Sequence, residues 1–256
     1  MWLRVLVIFL LFLLVAPVFV MIPLSFNSGV TFYYPLDGLS FRWYQNFIEN
    51  EQWLNGFFIS LKVAVLTAIF STAVGLMAAL AVDRLSFPGK KIFQNLIIAP
   101  IIIPVIIVGV ALYRSFSVFS ITNTTIGLVL AHSVLAIPLV FITISARLKS
   151  VDRNLELAAQ SMGSSPIRAF FNVTFPLIGT SVFAGFLFSF ITSLDEVVVS
   201  IFVSGANTKT LPIVMWDNMR TQIDPTIAAV SSIMIFIVVI LFLLFPGLIQ
   251  SGQKGK

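Results

Sequence analysis

Cysteine is absent from the 256 residues and histidine occurs once. No disulfide, thiolate nucleophile or Cys-based metal site is therefore available, the redox compartment is unreadable, and His132 alone cannot assemble a metal centre. Its setting, "LVLAHSVLAIP", fits either an ordinary polar spot at a helix start or a functional group. A membrane enzyme would need a metal cluster or a nucleophile with its base, and few parts for either exist. No G-x-x-x-x-G-K-[ST] phosphate loop occurs, since "FPGKK" and "GQKGK" lack the spacing, so the chain has no usual means of binding ATP. Charged residues make up only 10% of the chain, against about a quarter in soluble domains. In their place stand 59% hydrophobic residues and 26 phenylalanines, the composition of an integral membrane protein.

A helix needs about 20 apolar residues to cross a hydrocarbon core about 30 Å thick. Six stretches qualify, roughly 4–24, 56–82, 92–113, 125–147, 177–201 and 226–249. Lipid supplies no partner for backbone polar groups, which makes all six helical. The first has a single basic residue before its apolar run, as a signal peptide does, but it is long and lacks a clean small-x-small cleavage site, so we read it as an uncleaved span. Arg4, Arg84, Lys90, Lys91, Arg147, Lys149, Arg153, Arg168, Lys254 and Lys256 fall on one side of the six spans, and Arg42, Arg114, Lys209 and Arg220 on the other. Ten against four places both termini in the cytoplasm, and the excess positive charge is topological rather than a sign of nucleic acid.

Two outer loops are substantial. Residues 25–55 contain "YYPLDGLSFRWYQNF" and residues 202–225 read "VSGANTKTLPIVMWDNMRTQIDP". Arg42, Trp43, Tyr44, Trp216 and Asp217 have two readings, as aromatic anchors at the membrane interface or as a docking surface for an extracytoplasmic partner. No internal repeat is strong enough to assert.

The polar insert between the fourth and fifth spans, "NLELAAQSMGSSP", begins after Asp152, a good N-cap. Leu155, Ala158, Ala159 and Met162 recur at helical spacing on one apolar face. Gly163 suits the left-handed position that ends a helix, and Ser165 with Pro166 starts a new one. The result is a helix of about ten residues, roughly 15 Å long. It suits a groove on another protein. Lying on lipid is the alternative, but interfacial helices carry Trp, Phe or Leu opposite Lys or Arg, and this face is mostly Ala and Met.

The stretch "LAAQSMGSSPIRAFFNVTFP" resembles the EAA loop of permease subunits of binding-protein-dependent ABC importers: Glu-Ala-Ala, three residues, Gly, then about nine residues before a hydrophobic-x-Leu-Pro ending. Ala158, Ala159, Gly163, Val173 and Pro176 fall on that pattern. Leu157 stands where the glutamate belongs, with Glu156 one residue earlier and about 100° away around the helix, and Phe175 stands where leucine is usual. "GLSFRWYQNF", "SLDEVVVSIFVSG" and "TLPIVMWDNMRTQIDPTIAAVSSI" are similar to the second permease component of the spermidine/putrescine branch, across nearly the whole chain. The resemblance implies an all-α, six-helix type I importer permease in a bacterial inner membrane, one domain over residues 1–256. Its implied partners are a second homologous permease subunit, two ATPase subunits that hold the ATP and magnesium, and an extracytoplasmic substrate-binding protein. The loop over about 150–176 would carry the coupling helix, with Leu155, Glu156, Leu157, Ala158, Ala159, Met162, Gly163, Ser165 and Pro166 as the ATPase contact. The chain itself would be no enzyme and hold no cofactor or metal.

Asp195 and Glu196 interrupt the fifth span, where a carboxylate at mid-bilayer costs on the order of 3 kcal/mol. A substrate pathway for a chain of ammonium groups would compensate it. Alternatively, the pair lies about 29 Å beyond Pro176, near the outer interface, where solvation is cheap. Adjacent residues diverge around a helix, so one of the two, marginally Asp195, would face a cavity. Other small amines as cargo, and a stand-alone secondary transporter with paired inverted repeats, are the rival transport readings.

Overall fold

The computed structural model describes residues 2–30, 32, 34–221 and 224–244. The last part of the sixth expected span, residues 245–249, and Lys254 and Lys256 lie outside them. Among the described residues the chain is helical with one isolated antiparallel bridge, Asn27 to Leu39. Five helices among the described residues are long and apolar enough to cross a membrane, and a sixth span is formed if a sharply bent pair counts as one.

The chain divides into two compact units. The first comprises Met1–Gly56 and Val214–Leu244. It holds α1 (Trp2–Leu24), exposed along nearly its whole length as a lipid-facing helix is, α2 (Arg42–Glu49) and α12 (Thr226–Leu244). The Asn46 amide donates to Thr226 Oγ1 at 2.7 Å, which fastens α2 to the start of α12.

The second unit, Phe57–Ile213, packs around α6 (Thr125–Leu148). Most of α3 (Glu51–Arg84) lies against it, as does α9 (Phe175–Leu194). Small residues permit this approach, because helices in lipid gain from tight packing rather than from water exclusion. A Cβ added at Gly75 of α3 would sit 2.6 Å from Val140 Cγ1, and one added at Gly185 of α9 would sit 3.1 Å from the same atom. Val140 is therefore the knob that both neighbouring helices close upon. Farther along, Val63, Leu128, Ala131, Val199 and Val203 form a second buried cluster with α5 (Val105–Val118) and α10 (Val198–Val203).

Two expected spans are broken. The third becomes α4 (Lys90–Ile102) and α5, bent by 108°. Pro104 lacks an N–H and drives Ile103 out of the helical region, to φ −78° and ψ 132°. The fifth, expected over 177–201, ends at Leu194 and resumes as α10, with Asp195 and Glu196 in the gap. It also begins earlier: α8 (Pro166–Ala169) passes into a single π-turn over Phe170–Thr174 and then into α9 without a gap.

Replacing Gly75 by Leu is expected to overpack the α3–α6 seam by about 1–3 kcal/mol, lowering the thermal unfolding midpoint of the detergent-solubilised protein. Combining Gly75→Ala with Val140→Ala should unfold at a higher temperature than Gly75→Ala alone; a lower midpoint in the double variant would contradict the knob assigned to Val140.

Candidate functional site

The polar insert folds as its local signals require. The Asp152 side chain accepts from Asn154 N at 2.9 Å, capping α7 (Arg153–Ser161). Gly163 follows at φ +93°, a conformation that excludes most side chains. Ser165 accepts from Arg168 N at 3.3 Å and Pro166 opens α8.

Tertiary contacts orient α7 in a way its own pattern does not specify. Glu156, Ala159 and Gln160, spaced for one helix face, are half-buried against the chain. Glu156 accepts from Arg84 Nη2 at 2.6 Å, at the last residue of α3, and from the Thr174 hydroxyl, at the last residue of the π-turn. The pair is largely shielded, with side chains 17% and 15% exposed. Glu156 thus latches α7 to α3 and to the base of α9. It faces the chain's own core rather than outward, and Ala159 turns inward with it.

Leu155, Leu157, Ala158 and Met162 remain exposed on α7, Met162 at 85%. Ile167 and Phe171 extend this apolar surface. The inward face thus carries Glu156 and Gln160, while Leu155, Leu157 and Met162 are left uncovered beside exposed Arg153, Asn154 and Ser161.

At the other break, Asp195 is exposed while Glu196 is half-buried, and Glu196 Oε1 accepts from Val199 N at 2.8 Å, capping α10. The two carboxylates thus differ in setting: Glu196 is engaged at the start of α10 and Asp195 is exposed. His132 is 1% exposed, with Nδ1 lying 2.8 Å from Ser193 Oγ on α9 and Nε2 2.8 Å from Ser200 Oγ on α10. It bridges the two sides of the gap from the eighth residue of α6.

In the first outer loop, Trp43 is buried and donates from Nε1 to Asn27 O at 2.7 Å, and Tyr44 shares a hydrogen bond with Ser25 at 2.7 Å. Both hold the loop together, so the loop presents Arg42, whose guanidinium lies 4.5 Å over the Trp43 ring. Trp216 of α11 (Leu211–Thr221) is exposed and Asp217 half-buried. No group of His, Cys, Asp and Glu suited to a metal ion occurs among the described residues.

Arg84, Thr174, Ser193 and Ser200 escape sequence reasoning. Arg84 reads only as a topological charge, and its partner lies 72 residues away. No local signal marks such a pair.

The sequence profile of the family described as "Binding-protein-dependent transport system inner membrane component" matches residues 71–251. The chain is 31% identical over 231 residues, 87% of its length and 81% of the relative's, to the putrescine transport system permease protein PotI of Escherichia coli (strain K12). It is 32% identical over 222 residues, 86% and 85% of the two chains, to the spermidine/putrescine transport system permease protein PotC of Haemophilus influenzae. Its fold is similar to a chain of a bacterial alginate ABC transporter solved in complex with an alginate pentasaccharide-bound periplasmic protein, at a TM-score of 0.69 and 14% identity, covering 99% and 94% of the chains.

Glu156→Gln removes the anionic partner of Arg84 and is expected to loosen α7. Amide hydrogen exchange across residues 153–161 should rise about tenfold, as loss of a shielded ion pair implies. Unchanged protection would show that the latch is not what holds the helix.

Proposed function

The chain belongs to the family of binding-protein-dependent transport system inner membrane components, and on that premise we propose that it is one of two paired permease subunits of an ATP-driven importer of polyamines. The observation that carries the reading is the set of exposed apolar side chains on and just past α7, held by the inward latch of Glu156 on Arg84 and Thr174. A separate ATPase subunit receives Leu155, Leu157, Ala158 and Met162 in a groove. Closure of the ATPase pair then pushes α7, and the latch passes the displacement to α3 and α9.

The polyamine assignment has two supports. The relatives carry putrescine and spermidine/putrescine in their names, and Asp195 offers an exposed carboxylate at a helix break, suited to an ammonium group passing apolar walls. Both termini lie in the cytoplasm in this reading, with α7 on the same side, following the ten-to-four distribution of Lys and Arg. The extracytoplasmic binding protein docks on the far side, where Arg42, Trp216 and Asp217 are the outer-loop candidates.

The test reconstitutes the complete complex in liposomes with its binding protein loaded with spermidine, putrescine or an unrelated amino acid. ATP hydrolysis should rise with a polyamine, and Asp195→Asn should lower polyamine uptake about tenfold or more while leaving the binding protein's affinity unchanged. Stimulation by the amino acid alone would overturn the polyamine assignment. Met162→Glu places a charge on the apolar face and should release the ATPase subunit during purification; full retention would overturn the role given to α7.

A further inference from the structure

A cavity of about 490 Å³ opens between the ends of α3, α4 and α6. Its polar lining is graded along the helices. Lys90, the first residue of α4, and Lys149, just past the end of α6, stand at the rim. Gln94 and Ser145, four residues inward from each lysine, lie about 6 Å deeper at 1.5 Å per residue. Ile98 and Ile142 lie about 11–12 Å from the rim and, with Phe141, make apolar walls.

Two polar groups in the lining have donors to spare. Lys90 donates to Leu85 O at 3.0 Å, which leaves its ammonium two further donors. Some helical hydroxyls in this chain bond back one turn, as Ser133 does to Val129 O and Thr143 to Leu139 O, while those of Ser71, Thr72 and Ser232 are buried without a partner among the described residues, outside this cavity. The buried Ser145 hydroxyl makes no such bond and has no partner among the described residues. A buried polar atom without a partner calls for one. The one carboxylate in the lining, Asp83, lies 3.5 Å from Arg84 Nε, so the rim stays net positive.

We propose that this cavity binds the headgroup of an anionic phospholipid. The rim lysines take the phosphate, Gln94 and Ser145 donate at the depth of the glycerol esters, and the apolar walls receive the start of the acyl chains. A free phosphate would satisfy the lysines but would leave the deeper donors and the apolar walls unused. Basic recesses between transmembrane helices suit anionic headgroups on electrostatic grounds. The lining includes no residue of α7 or α9 and not Asp195, and lipid retention is read without substrate or ATP, so its failure is distinguishable from failure of the transport reading.

The experiment places the complete complex, without substrate, in nanodiscs of phosphatidylcholine with graded fractions of phosphatidylglycerol, and counts retained phosphatidylglycerol by native mass spectrometry. Wild type should retain it, and Lys90→Gln with Lys149→Gln should weaken retention about thirtyfold. Ser145→Ala, which spares the charges and the fold, should weaken it severalfold. Lys91→Gln, an exposed neighbour outside the cavity, should match wild type. Equal loss in the Lys91 variant would reduce the effect to diffuse surface charge and overturn the site. Retention unchanged by the double substitution, equal retention of phosphatidylethanolamine, or displacement of the lipid by millimolar inorganic phosphate would each overturn it too.

Discussion

Hydrocarbon offers no water to complete a broken hydrogen bond, so interruptions of helix need partners from within the chain, and at three of them a side chain supplies one. Glu196 answers at the α9–α10 gap, Thr124 at the start of α6 by accepting from Gly127 N at 3.0 Å, and Ser60 at the start of α11 by accepting from Leu211 N at 2.8 Å. Polar residues in the spans are few, and several of the buried ones are spent on these breaks. The irregular stretches are therefore as specified as the helices, and they are also where the chemistry of interest stands.

The second unit reads as a short mechanical path. Glu156 ties α7 to α3 directly and to α9 through Thr174, and both helices close on Val140 of α6. The far end of α9 stops at the carboxylate pair, where His132 of α6 spans the gap through Ser193 and Ser200. A displacement entering at α7 meets packed side chains along this route, and tight packing transmits strain rather than absorbing it. The π-turn at Phe170–Thr174 sits where α7 hands over to α9, and such turns are frequent at functional positions.

A shift of one residue separates Glu156 from the position the family pattern gives its glutamate, and geometry turns that shift into a different placement. Position 157 is exposed, so a carboxylate there would stand in the open. At 156 it turns inward and finds a guanidinium within 2.6 Å. The motif glutamate's place is taken by Leu157, which enlarges the apolar surface instead.

The sequence by itself determined what depends on neighbours in the chain: the apolar runs that became helices, the Asp152 and Ser165 caps, the glycine at 163 and the uneven distribution of Lys and Arg between the spans. The tertiary structure alone decided which face of α7 turns inward, that Trp43 is buried, that the third and fifth spans are broken, and that His132 meets two serines more than sixty residues away. The reason is range. Capping and amphipathic spacing act within a turn or two, whereas burial and ion pairing are settled by elements that meet only when the chain has packed, and an apolar-everywhere sequence carries no periodic signal of which side will meet which.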